Sequence, residues 1–388
     1  MKIEVYSPTI RRREMDAVLT AMVEEKIGPG ERSRLLIQTA KEQLNYDYAL
    51  ALRSPAVALF LALKAIVRSE ARSEAAADAK PDLQTQDSAS QSPKKYGVII
   101  SALSPRYYLQ VLKDLQLIPL YCDVSYDFPC ISKSLIETVI TAKPSDIEVV
   151  AIVLHHTLGF VPETAAIAEL GFPIIEDISQ SYGSFLAPLE KEKPADKEKN
   201  ESKAPANSFF SDSQLIILGL EEKDLLTSGG GALLFAMNRK ESSLLRSFSD
   251  IPDEYCMPDI NSALAIVQFK EIRRNLERRR EIAEVYLQAT MSLSSRTKHK
   301  RFISNNDNYC NYSFSIVLDS GLKDVIAYAR KKEIILENAL ANCIASSGFI
   351  DNCPVSNSLV LRTILFPLYP RLRSVDIERV SRLIMTLP

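Results

Sequence analysis

The stretch Ile174-Ile175-Glu176-Asp177-Ile178-Ser179-Gln180 ends an apolar run in a carboxylate and follows it, three residues later, with a primary amide. Downstream, Lys223 precedes Gly229-Gly230-Gly231. An acid at a strand end, a nearby amide and a lysine ahead of a glycine turn are the parts needed to hold pyridoxal phosphate. The lysine would form a Schiff base, and the acid would keep the pyridine nitrogen protonated so that the ring can act as an electron sink. Asp177 falls at the carboxyl end of a strand, where open α/β sheets bind ligands. Each residue also has a plainer reading. An acid in this position often caps a helix. Lys223 sits in Glu221-Glu222-Lys223-Asp224, a charge run of the kind that faces solvent. The glycine triplet can be simply a flexible turn.

Other groups carry less chemistry. His155 and His156 are adjacent, so on a strand they point to opposite faces and cannot both ligate one metal. The arginines at 273, 274, 278, 279 and 280 alternate with glutamates, the pattern of a salt-bridged solvent face. No GxGxxG, Walker loop or HExxH occurs, and the six cysteines show no metal spacing, so no metal site is expected. Unpaired thiols point to a cytoplasmic protein. A net charge of -2 argues against nucleic acid or an acidic membrane as partner, and no apolar run approaches a membrane span.

The elements that would position these residues alternate. Helices are expected over Ile10–Glu25, Arg32–Leu44 and Ala56–Val67, the first with Met15, Val18, Leu19 and Met22 at helical spacing. Strands over Val98–Leu103, Ile118–Cys122, Val149–Leu154 and Pro173–Glu176 are separated by helices over Tyr107–Leu115, Ser132–Thr141 and Pro162–Leu170. Such alternation predicts an α/β fold, a mostly parallel sheet sandwiched by helices. Leu215–Leu218 and Ala232–Ala236 read as further strands. After a long helix over Ile260–Thr290 come a strand at Ser313–Leu318, a helix at Leu322–Lys332, a strand at Leu359–Leu365 and a closing helix at Val375–Met385, a smaller α+β unit. The expected division is 1–248 and 249–388. Residues 68–95 and 187–207, rich in charge without apolar period, read as flexible insertions.

Several motifs, in one order, resemble the DegT-type sugar aminotransferases, a branch of the fold-type I pyridoxal phosphate enzymes. They are Gly28-Pro29-Gly30, the strand ending Cys122-Asp123-Val124, His156 with Gly159, Glu176-Asp177-Ile178-Ser179-Gln180, Met257-Pro258-Asp259-Ile260, Arg279-Arg280-Glu281-Ile282-Ala283 and Phe366-Pro367-Leu368-Tyr369-Pro370. The resemblance implies amino transfer from glutamate to a keto sugar, nucleotide-linked, by a homodimer with an active site shared between subunits. Asp177 would meet the pyridine nitrogen, Gln180 the ring hydroxyl, Lys223 would be the Schiff-base lysine, and Ser54 would belong to the phosphate cradle.

That cradle departs from the family's pattern. Its Ser-Gly-Thr is here Ser54-Pro55-Ala56, its serine ahead of the lysine is Ile217 or Leu218, its stacking aromatic falls near Pro105, and its Asn-Tyr-Arg reads Glu254-Tyr255-Cys256. Proline lacks an N–H and alanine a hydroxyl. A hydrogen bond to a charged phosphate is worth about 1.5–3 kcal/mol, so going without two or three weakens binding by roughly two to five orders of magnitude. Two functions follow: a divergent aminotransferase that binds pyridoxal phosphate weakly, or a catalytically silent relative kept as a binding or assembly subunit. A third is a small-ligand regulator using the old cleft.

Overall fold

The computed structural model describes residues 2–78, 95–186, 213–248, 251–294, 297–304, 309–319 and 321–388. In chain order, α1 (Arg12–Val23), α2 (Glu31–Leu44), β1 (Tyr48–Leu52) and α3 (Pro55–Asp78) lead into β2 (Lys95–Ser101), α4 (Tyr107–Asp114), β3 (Ile118–Cys122), α5 (Lys133–Ala142), β4 (Ile147–His155), α6 (Thr164–Ala168) and β5 (Ile174–Asp177). Then come β6 (Leu215–Gly219), β7 (Ala232–Ala236) and α7 (Arg239–Arg246). These strands form one seven-stranded sheet in the order β1-β7-β6-β5-β4-β2-β3. The pairs from β3 across to β6 are parallel; β7 turns back antiparallel to β6, and β1 pairs antiparallel with β7. The expected mostly parallel sheet is therefore present, with a reversed edge.

Alternation along the strands fills both faces. Val98, Ile100, Val153, Ile175 and Ile217 pack with Leu59, Leu63 and Ile66 of α3 and Tyr108 and Leu112 of α4. Ile99, Ile152, Leu154 and Ile174 meet Ile136 of α5 and Ile167 of α6. Further along the same sheet, Ile216, Leu218 and Phe235 join Leu36 of α2 and residues of α8 (Asp259–Ser294). Truncating any of these buried aliphatics to alanine costs about 2–5 kcal/mol.

Helix α8 leads to the smaller unit: β8 (Phe314–Val317), α9 (Leu322–Lys331), β9 (Glu337–Asn338), α10 (Pro354–Arg362), β10 (Thr363–Phe366) and α11 (Ser374–Met385). Its three strands are antiparallel, in the order β8-β10-β9. Ile3 joins this unit's core and exchanges backbone hydrogen bonds with Glu333 and Ile335, so the first residues of the chain pack on its last third.

Several expectations are corrected. Residues 359–362 are helical, not strand, because Pro354 opens α10 and Asp123 accepts the Val355 and Ser356 N–H groups at 2.9 and 2.8 Å, as a cap would. The strand is confined to Thr363–Phe366. Strand β1 and helix α7, the latter capped by the Asn238 side chain, add to the expected elements. Residues 68–78 continue α3, while 79–94 and 187–207 lie outside the described residues. Arg279 is not on a solvent face; it is buried and donates to the Tyr312 and Leu368 carbonyls, both at 2.9 Å. In α1, the outward residues are Met15, Leu19 and Met22, and the buried ones Glu14 and Ala21.

Candidate active site

Asp177 closes β5, flanked in register by His155 on β4 and Ile217 on β6. It is 1 % exposed. One carboxylate oxygen accepts the Ser179 N–H at 3.1 Å and the Ser179 hydroxyl at 2.5 Å. The other accepts the Tyr108 hydroxyl at 2.8 Å and the Tyr107 hydroxyl at 3.2 Å. His155 Nδ1 stands 3.7 Å from that second oxygen, too far for a hydrogen bond, and acts on it through charge. Burial pushes this carboxyl up, but His155 and the Ser179 and Tyr108 hydroxyls outweigh it and hold the pKa at about 2. Burial, and then the Asp177 charge, push both tyrosines well above the usual phenol range, so they stay donors.

Gln180 lies beside this cluster, its side-chain oxygen accepting the Leu158 N–H at 2.7 Å. With Pro105, His155, Thr157 and residues 339, 340, 342 and 343 of the C-terminal part, it lines a recess of about 90 Å³. His155 Nδ1 and Thr157 Oγ1 are buried there without a hydrogen-bond partner among the described residues. The space holds about three waters and is well short of the roughly 300 Å³ at which small-molecule pockets begin. His156 turns the other way, as adjacency on a strand requires, into a buried network with Ser181 at 2.6 Å and Glu176 at 2.9 Å.

Lys223 is elsewhere. Its ammonium is 3.3 Å from Glu337 on β9, and the two side chains are 56 and 48 % exposed. It borders a separate crevice of about 50 Å³ with Tyr6, Arg279 and Tyr312. The residue that follows it, Asp224, turns inward to accept the Glu221 N–H at 2.9 Å. Burial, then the nearby Asp177 and Glu221 charges, push Asp224 well above the usual carboxylate range. The end of β6 is crowded: a Cβ at Gly219 would lie 2.5 Å from Asp224 Oδ2, 2.7 Å from Ser179 Oγ and 3.0 Å from Pro55 Cγ. Gly219 is therefore required for close approach, and its N–H donates to the Ser179 hydroxyl at 2.7 Å. Ser54 Oγ accepts the Val57 N–H at 3.3 Å and caps α3.

The structure thus brings Asp177 and Gln180 together, places Lys223 on a separate crevice with Glu337, and uses the Ser54 hydroxyl to cap α3. The participants that sequence reasoning missed are Tyr107, Tyr108, Ser179 and Asp224. Their one visible signal is a pair of tyrosines opening a helix after a strand end, which reads equally as core.

Pyridoxal phosphate is the group expected here from the sequence. Asp177 and Gln180 suit the ring. The ring nitrogen, however, would need a carboxylate oxygen that two tyrosines already hold. The phosphate cradle expected from the sequence has Pro55 without an N–H, and Ala56 and Leu218 without side-chain donors. As folded, the residues do not fit the group.

Among the described residues no cluster of three or more His, Cys, Asp or Glu could hold a metal, and no helix is long and apolar enough to cross a membrane. All six cysteines are free thiols.

Comparison with known proteins places this geometry. Residues 237–385 match the DegT/DnrJ/EryC1/StrS aminotransferase family. The dTDP-4-amino-4,6-dideoxy-D-glucose transaminase of Escherichia coli is 24% identical over 293 residues, 69% of this chain and 73% of that protein. The aminotransferase TlmJ of Streptoalloteichus hindustanus superposes with a TM-score of 0.74 at 16% identity, over 99% of this chain and 98% of that one. The PLP form of the putative sugar aminotransferase Spr1654 of Streptococcus pneumoniae gives 0.75 at 14% identity, over 100% and 98%. The C-terminal part of the chain, residues 237–385, is thus similar to the DegT/DnrJ/EryC1/StrS aminotransferase family, and the chain as a whole shares the fold of the solved aminotransferases.

Proposed function

We propose that this chain is a catalytically silent relative of the sugar aminotransferases, retained as a binding or assembly subunit. One observation carries the reading: the Asp177 carboxylate is saturated by the chain's own Ser179, Tyr107 and Tyr108. An acid whose four lone-pair sites are taken by neighbours holds its fold together and has none left for a ligand's N–H. Lys223, tied to Glu337 in another crevice, supports the same reading. The ligand class that goes with it is a nucleotide-linked sugar, by similarity to the Escherichia coli relative. We place the domain boundary at 248/249 and the protein in the cytoplasm as a homodimer.

A second reading, amino transfer from glutamate to a keto sugar with pyridoxal phosphate on Lys223, is favoured by Asp177 itself. An acid held ionised at a strand end, with Gln180 three residues on, is what the ring would require. It needs Tyr107 and Tyr108 to release the carboxylate and Lys223 to leave Glu337.

Purification of the chain without added cofactor, followed by an assay with glutamate and a dTDP-linked 4-keto sugar, separates the two. The first reading expects no bound cofactor and no turnover, with the nucleotide sugar still raising the melting temperature. One cofactor per chain together with turnover would overturn it.

A further inference from the structure

Arg279 stands on α8 and is 5 % exposed. Its Nη1 donates to the Tyr312 and Leu368 carbonyls, both at 2.9 Å, which seats the helix against the smaller unit. Nε and Nη2, the other edge of the guanidinium, make no hydrogen bond among the described residues, and no carboxylate among them pairs with Arg279. Neither nitrogen is fully enclosed, and the side chain lines the crevice of about 50 Å³ that Tyr6, Lys223, Tyr312 and Glu337 also border. A buried guanidinium is costly without a counter-charge, and two carbonyl dipoles supply only part of one.

The groups around it do not supply the rest. Those that act on Arg279 through charge are Cys310, Tyr312, Tyr6 and Tyr309. Burial pushes all four up, Tyr6 to about 12, so each is neutral at neutral pH. The Tyr312 hydroxyl donates to the Lys223 carbonyl at 3.0 Å and the Tyr6 hydroxyl to the Glu222 carbonyl, so both phenols are spent on the turn that carries Lys223. At the crevice mouth Lys223 and Glu337 balance one another. One positive charge is left over, beside apolar walls that include Val5, Leu365 and Phe366 and strengthen any pairing by excluding water. The space holds about two waters, enough for a small anion and too little for a sugar or a phosphate ester. The free edge of the guanidinium offers two parallel N–H groups, a fork that two carboxylate oxygens match better than one halide does. We propose that this crevice is a binding site for a small monovalent anion, held by Arg279 with Lys223 at the mouth, and that it prefers a carboxylate to a halide. Neither Asp177 nor Gln180 takes part, so the site stands whether or not a cofactor binds.

Thermal melting of the full chain tests it, with sodium formate or sodium chloride titrated in and ionic strength held constant with sodium HEPES. Binding to the folded state raises the melting temperature in a saturable way. Formate should half-saturate at a concentration about tenfold lower than chloride, the worth of one further charge-assisted hydrogen bond. Arg279→Gln should abolish the saturable rise. Glu337→Gln alters a half-exposed side chain and removes the negative charge at the mouth, so it should tighten formate binding about two- to fivefold, and it reads the site even if Arg279→Gln misfolds. Bromide soaked into a crystal should give an anomalous peak against the Arg279 side chain. No saturable rise with either anion, a rise that survives Arg279→Gln, or a Glu337→Gln chain that binds formate no tighter than the wild type would each overturn the site. Chloride binding as tightly as formate would overturn the preference for a carboxylate.

Discussion

The carboxyl end of β5 and the turn between β6 and β7 would have to act together in an aminotransferase, yet they are built differently. Around Asp177 every hydrogen-bonding position is filled and the group is buried. Around Lys223 there is one exposed ion pair and open solvent. In the first region the carboxylate is held by internal donors; in the second the lysine is held by Glu337 at the surface. A residue type that chemistry would use can also serve the fold, and the internal donors around Asp177 give it that structural use.

If that contrast is right, stability should respond very unequally to mutation at the two places. Asp177→Ala should be the most damaging single change, because it leaves three hydroxyls without their acceptor. A decrease of about 3–5 kcal/mol in a urea titration is expected, with the slope unchanged. Gly219→Ala comes next, at about 1–3 kcal/mol, as its methyl must push against Asp224, Ser179 and Pro55. Tyr108→Phe should cost about 1.5–3 kcal/mol, the value of a hydrogen bond to a charged acceptor. Lys223→Ala should change stability by less than about 0.5 kcal/mol, since the pair with Glu337 is half exposed and solvent-screened. A Lys223→Ala variant as unstable as Asp177→Ala would erase the distinction between the regions.

Acid sharpens it further. The folded pKa of Asp177, about 2, lies below the unfolded value near 3.9. The group therefore contributes stability that is complete above about pH 4 and is lost as pH falls toward 2, amounting to about 2–3 kcal/mol. Asp177→Asn should be destabilised at neutral pH and should show a flatter decline over that interval. An unchanged acid limb would mean that Asp177 is not the group titrating there.

Much of the fold was legible because apolar runs of strand length alternate with helical periodicity from Val98 to Ala236. What was not legible came from distant partners. Residues 359–362 became helix through Asp123, more than two hundred positions away, and β1 is a strand because β7 offers it an edge. The chemistry divided in the same way. Asp177 and Gln180 could be read from local pattern, whereas the tyrosines that occupy Asp177 lie on a helix some seventy residues earlier, and only packing brings them there. Lys223 was legible as a solvated charge run and as a candidate nucleophile alike, and in the structure it faces solvent.

The central claim is that the chain's own hydroxyls occupy the place a cofactor ring would take. The most direct measurement adds one equivalent of pyridoxal phosphate to purified protein, reduces with borohydride and maps the modified lysines by mass spectrometry, for the wild type and for Tyr107→Phe with Tyr108→Phe. The account predicts no enrichment at Lys223 over other exposed lysines in the wild type, and any rise at Lys223 confined to the variant in which both hydroxyls have released Asp177. Stoichiometric, selective modification of Lys223 in the wild type would contradict it.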